Sequence, residues 1–259
     1  MSTRATYLVN GTPFYIHTDG YPEGAAEYFR QMIGALTAPA ADGLAVGAIA
    51  DRRGGLVHAF IRGNDRAEPT ESHQAHGDTK YRWDVDDRRP EAKGEILVRC
   101  QARRYDFDGW GAWSTWAPIE ELIGRHYPGA IVAIVDPDRY MGGRKILATI
   151  GNALAIARRE LEIAGAFQDG NPPNKPGHQA LATAWLRGVI EQLPARVSFL
   201  EKQAAACRAE LAKGSTWGRD YYERELAEIE EELEELREPL PDNVDVDQAP
   251  EQLGLAIAN

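Results

Sequence analysis

Cysteine is almost missing from this chain of 259 residues, with Cys100 and Cys207 the only two. They stand far apart without metal-type spacing. That excludes a disulfide scaffold, argues against structural zinc and suggests a reducing compartment. Long apolar runs are also lacking. None approaches the ~20 residues that span a bilayer, and no signal-type segment opens the chain, so a cytoplasmic location is expected. The Gly-x-Ser-x-Gly elbow that would expose a nucleophilic serine surrounds neither Ser72 nor Ser114. Gly142-Gly143-Arg144-Lys145 precedes an expected helix but lacks the phosphate-cradling P-loop spacing; it reads as a turn, with helix capping or anion binding the alternatives. With no complete catalytic motif, the sequence favours binding over catalysis and calls for no cofactor and no metal.

What the chain does contain is unevenly placed. Hydrophobic residues make up 43% and charged residues 27%, enough apolar content for a packed core. The formal net charge is -11. From Asp220 to the end there are 14 acidic and two basic residues, a net of -12, while everything before carries +1. Such a tail repels bare nucleic acid and attracts a basic protein surface.

Patterning divides the chain. Residues 5–9 and 13–17 are β-compatible runs around Asn10-Gly11, a type I′ hairpin signal. Pro22 suits a helix start, and Tyr28, Phe29, Met32, Ile33 and Leu36 at helical spacing predict a helix over 22–37. Residues 44–50 read as helix or buried strand, 56–62 as a strand, and 79–85 and 94–103 as two further strands. A short helix is expected over 118–127, after the tryptophan-rich stretch. The fold class is α+β: an antiparallel sheet with packed helices over residues 1–140.

The period then lengthens. A long helix is expected over 146–167, a proline-rich linker over 169–177, and two helical runs over 179–193 and 194–213 with a break or kink at Pro194. Leu193, Val197, Leu200, Ala204, Cys207 and Leu211 form one apolar seam; Tyr222, Leu226, Ile229, Leu233 and Leu236 form another. Gly214 to Gly218 is short enough to return the chain, and Asp220 with Glu223 suits an N-cap pair. Residues 141–238 therefore read as a helical part containing an antiparallel hairpin, and 239–259 as an acidic, proline-interrupted tail suited to disorder.

Three groups of residues could carry chemistry. Glu71, His73, His76 and Asp78 concentrate imidazoles and carboxylates in one loop. His73, His76 and Asp78 could serve a metal-dependent hydrolase of nucleotides or nucleic acid, given a third distant ligand such as His17, Asp19 or His58. The plainer reading is a loop whose polar groups satisfy its own backbone. Trp110, Trp113 and Trp116, with Tyr105, Phe107, Arg99, Arg103 and Arg104 nearby, form either a stacking surface or an aromatic corner of the sheet. Nine glutamates lie between Glu223 and Glu238. They are a solvated face or, through Glu228, Glu231 and Glu235, an anionic rod for a basic groove. Cys100 and Cys207 read as small buried hydrophobes.

The opening text, Ser2-Thr3-Arg4-Ala5-Thr6-Tyr7 and then Phe14-Tyr15-Ile16-His17-Thr18-Asp19-Gly20-Tyr21-Pro22-Glu23-Gly24, resembles small proteins encoded on proteobacterial plasmids, integrated elements and phages. Ile61-Arg62-Gly63-Asn64 and His76-Gly77-Asp78-Thr79-Lys80-Tyr81-Arg82 extend the resemblance over the first half. It brings no catalytic residues with it. The mobile-element setting implies a role in host takeover or evasion of host defence, in its specific form an anti-CRISPR protein. The expectation is a non-catalytic inhibitor whose acidic helix, with Trp110 and Trp113, contacts a host nucleic-acid-binding protein such as a CRISPR surveillance complex subunit. Neither membrane contact nor direct nucleic-acid binding is expected.

Overall fold

The computed structural model describes residues 3–38, 55–90, 95–104, 109–135, 145–166, 175–213 and 218–238. The fold is α+β, a mostly antiparallel six-stranded sheet followed by helices. Strands β1 (Ala5–Val9) and β2 (Thr12–Ile16) pair antiparallel through Asn10 and Gly11. Their φ values of 48° and 84° are the paired positive angles of a type I′ turn. Helix α1 (Pro22–Thr37) occupies the expected range and buries Tyr28, Phe29, Met32 and Ile33.

Helix α2 (Gly55–Gly63) replaces the strand expected over 56–62. Leu56, Ala59 and Phe60 fall at i, i+3 and i+4, so one helical face buries all three against α1. Residues 44–50 lie outside the described residues.

Strands β3 (Glu68–Pro69), β4 (Tyr81–Asp86), β5 (Leu97–Ala102) and β6 (Ala117–Pro118) complete the sheet in the order β3-β2-β1-β4-β5-β6. The β1–β4 pair is parallel and every other pair antiparallel. Helix α3 (Ile119–His126) follows within the expected range.

Strands β7 (Ile131–Val135) and β8 (Lys145–Thr149) make a separate antiparallel ribbon. The single helix expected over 146–167 therefore loses its first turn to β8, and α4 spans Ile150–Ala166. Ile146 and Ala148 sit opposite Ile134 and Val132, and this cross-strand pairing overrides their helical spacing. Helix α5 (Lys175–Ala212) runs through Pro194 as one element, which corrects the break that was one of the two alternatives expected there. A proline inside a helix forfeits one hydrogen bond at a cost of about 3 kcal/mol. Packing along both flanks, with Trp185, Leu186, Val189, Leu193 and Leu200 buried, holds the helix through it.

Helix α6 (Arg219–Arg237) packs on α5 along the expected seams. Arg208 meets Glu230 at 2.6 Å and Arg237 meets Glu201 at 3.5 Å. Its N-cap is Gly218 at φ 78°, without a side-chain cap, so Asp220 and Glu223 do not form the expected pair. The turn residues 214–217, most of the linker at 169–177 and the tail from 239 lie outside the described residues. Among the described residues no helix is long and apolar enough to cross a membrane.

Two cores result. One fills the space between the sheet and α1/α2, around Tyr7, Phe14, Phe29, Phe60 and Trp83. The other lies among α4, α5 and α6, around Trp185, Leu186 and Leu200. The β7–β8 ribbon serves both: Ile131 and Leu147 enter the first, while Val132, Ile134 and Ala148 enter the second. Alternation of strand side chains makes this possible.

Gly188 on α5 marks the closest approach of the helix to the ribbon, since a Cβ there would lie 2.5 Å from Cγ1 of Val132. Gly→Ala in a helix interior ordinarily stabilises by up to ~1 kcal/mol. At this contact overpacking outweighs propensity, and Gly188→Ala is expected to destabilise by about 1–3 kcal/mol. A lower urea midpoint with an unchanged m-value is the measurement that checks it.

Candidate functional site

Strand alternation divides the sheet into an apolar and a polar face. Tyr7, Trp83, Val85 and Val98 point to the helices, whereas Thr6, Asp84 and Arg99 belong to the opposite face. Two irregular segments cover that polar face. Residues 70–80 cross β2 and β1; residues 109–116 run beside β5, where Gly111 N–H donates to Ala102 O and Ser114 N–H to Cys100 O.

A buried chain of polar groups stands at the centre. The Thr6 hydroxyl lies 2.7 Å from His73 Nδ1, and His73 Nε2 lies 2.8 Å from Asp84 Oδ1. The other Asp84 oxygen accepts hydrogen bonds from Arg99 Nε at 2.8 Å and from its terminal nitrogen at 2.6 Å. Thr6 is 0%, Asp84 6% and His73 8% exposed. The order hydroxyl–imidazole–carboxylate is that of an activated nucleophile. Thr6 has no path to a substrate, however, so the relay holds the loop to the sheet. A hydroxyl that can turn satisfies His73 Nδ1 whether or not that nitrogen carries a proton.

The remaining loop residues diverge. His76 stacks on Tyr15 with centroids 3.7 Å apart, and its Nε2 lies 2.9 Å from the Thr70 hydroxyl. Asp78 pairs with Arg4 and accepts a hydrogen bond from Tyr15 Oη at 3.3 Å. Burial first, and then the Asp78 charge, push the Tyr15 phenol above its usual pKa. Glu71 is exposed. His17 pairs with Glu68 at 3.2 Å, and His58 is exposed on α2. His73 is thus anchored on Thr6 and Asp84, apart from His76 and Asp78, which share Tyr15 as a neighbour. No group of three His, Cys, Asp or Glu able to hold a metal occurs among the described residues.

The tryptophans stack on arginines. Arg82 lies 3.8 Å from the Trp110 ring centre. Arg99 lies 4.5 Å from Trp113 and 4.6 Å from Trp116, whose ring also meets Arg89 at 4.4 Å. All three indoles are half-buried. Of the arginines expected beside them only Arg99 stacks. Arg103 donates to Gly77 O at 2.5 Å, and Arg104 N–H donates to Gly109 O. Tyr105 and Phe107 lie outside the described residues, as do Gly142, Gly143 and Arg144.

The other candidates are engaged. Ser72 Oγ accepts from Gln74 N–H, and Ser114 Oγ accepts from Cys100 N–H. Burial pushes the Cys100 thiol up to about 12, and burial followed by the Glu225 charge raises Cys207, so neither supplies a thiolate at neutral pH. On α6, Glu228, Glu231 and Glu235 are exposed.

Sequence reasoning missed Thr6 and Asp84. Their signal was a polar or charged residue between apolar neighbours inside a strand, Asp84 between Trp83 and Val85. No family model, no curated protein and no solved structure matches this chain.

Removing His73 leaves a buried carboxylate oxygen and a hydroxyl without their partner. His73→Ala is expected to cost about 2–4 kcal/mol, against less than about 1 kcal/mol for His76→Ala on the more open stack. Denaturant titration of the two single variants checks the ranking.

Proposed function

We propose that the protein is a non-catalytic inhibitor of host defence, encoded by a mobile element and acting in the cytoplasm. In this reading its acidic helix binds a basic groove on a nucleic-acid-processing complex of CRISPR type. The observation that carries it is how α6 sorts its glutamates. Glu223, Glu230 and Glu232 pair with Arg219, Arg208 and Arg196. Glu228, Glu231 and Glu235 instead form an exposed stripe at i, i+3 and i+7, with no ion pair among the described residues. Like charges at this spacing repel one another. A partner bearing guanidinium or ammonium groups would relieve that repulsion through charge-assisted hydrogen bonds. The burial of His73 on Asp84, away from His76 and Asp78, favours binding over hydrolysis.

Changing Glu228, Glu231 and Glu235 together to Lys leaves the Ile229/Leu233/Leu236 seam untouched. Exposed charges are worth less than ~1 kcal/mol each, so the variant is expected to fold. In a CRISPR-immune host, the wild-type protein is expected to restore plaquing by a targeted phage by orders of magnitude, and the triple variant to lose that effect. Circular dichroism reports the fold. A folded triple variant that protects phage as well as wild type removes α6 from recognition, and a wild-type protein without effect on plaquing removes the inhibitor reading.

A further inference from the structure

Two arginines on the polar face of the sheet are treated differently. Arg99 is neutralised by the buried Asp84. Arg82, paired in register with Thr6 on one side and Gln101 on the other, has no carboxylate partner among the described residues. Its Nε is enclosed and makes no hydrogen bond. Burial first, and then the charge of Arg103, lower its pKa from the usual guanidinium value. Asp78, which follows the Gly77 whose carbonyl Arg103 holds, pairs with Arg4 and accepts from Tyr15. Trp110 is bridged to Arg103 through the backbone, and its ring centre lies 3.8 Å from the Arg82 guanidinium carbon. Arg103 follows Gln101 by two residues on the same face, diagonal to Arg82, with its Nη1 bonded to Gly77 O. The fold thus sets two cations on one face, Arg82 partly desolvated, against an indole and without a carboxylate partner among the described residues.

We infer that Arg82 and Arg103, beside Trp110, form a binding site for a phosphate group carried by a nucleotide or a nucleic-acid strand. A carboxylate fills one guanidinium fork, as Asp84 does with Arg99. A phosphate offers enough oxygens for two forks at once. Stacking on Trp110 preorganises the Arg82 fork, so little side-chain entropy is lost on binding. The chain's excess negative charge lies in the sequence from Asp220 on, and the residues before it carry a net +1. The site goes beyond the proposed inhibitor function and does not depend on it.

The test titrates the whole protein with inorganic phosphate, with AMP, and with a single-stranded thymidine oligonucleotide of about a dozen residues, at low and moderate salt. Wild type is expected to bind AMP or the oligonucleotide more tightly than phosphate alone. Affinity should fall at least about tenfold in Arg82→Gln and in Arg103→Gln, and by less than about twofold in Arg104→Gln. Tighter, salt-sensitive binding of the oligonucleotide assigns a strand; equal binding of AMP assigns a free nucleotide. Arg103→Gln, which leaves the Arg82–Trp110 stack in place, decides the outcome if Arg82→Gln does not fold. The inference is overturned if wild type binds none of the three probes, if phosphate alone binds as tightly as AMP and the oligonucleotide, or if the folded Gln variants bind like wild type.

Discussion

A carboxylate in the middle of a sheet is the constraint on which the polar face depends. Asp84 lies between Trp83 and Val85, at 6% exposure, on a strand flanked by partners on both sides. An ion in that position is stable only if hydrogen bonds and opposite charge replace the water it has lost. His73 and Arg99 supply both. Each ties a further piece of chain to the sheet. His73 brings down residues 70–80 and meets Thr6, while the Arg99 guanidinium becomes the surface on which Trp113 and Trp116 settle. A face that carries no helix among the described residues is thereby covered by irregular backbone, and the aromatic-rich segment gains a defined position against arginines.

The helical part joins the sheet through different means. The β7–β8 ribbon carries side chains into both cores, so neither packs independently of it. Charge reinforces the junction. Glu27 and Arg30 pair on α1, and Arg196 on α5 binds Glu232 on α6 through two hydrogen bonds of 2.7 Å. The two pairs act on each other, the Arg196 charge lowering the Glu27 pKa and the Glu232 charge raising that of Arg30. Burial alone would raise the Glu27 carboxyl, but the hydrogen bonds and charge of Arg30 prevail and hold it below its usual pKa. This part of stability is present above the unfolded carboxyl pKa and is lost as the pH falls through the lowered one. Acid therefore weakens the α1 side of the junction.

What the sequence disclosed depended on how local the cause was. The Asn10-Gly11 turn, the Pro22 helix start and the α5/α6 seams are set by residues a few positions apart, and they were legible. The β8 strand and the α2 helix were not, because short apolar runs fit either period and their packing partners decide. At Pro194 the helix continues where a break was one expected outcome, a local rule outweighed by packing on both flanks. At the candidate site, residue types were visible but partners were not. His73 and His76 are close in sequence, yet one is buried under the sheet's polar face and the other stacks on Tyr15. Asp84, eleven residues from His73, completes the relay only because β1 and β4 are parallel neighbours.

The acidic helix shows how a charge excess can coexist with a stable fold. Its apolar seam faces α5, and the glutamates beside that seam find arginines: Glu232 with the 3%-exposed Arg196, and Glu230 with Arg208. The buried pair fixes the rotation of α6 about its axis, since turning the helix would strand Arg196 without its counter-ion. That rotation directs Glu228, Glu231 and Glu235 outward. The fold therefore neutralises the carboxylates that packing requires it to neutralise and leaves the outer ones to solvent. A stripe held in register by a buried arginine is a preorganised surface, and preorganisation lowers the ordering cost that a flexible acidic tail would incur on meeting a basic partner.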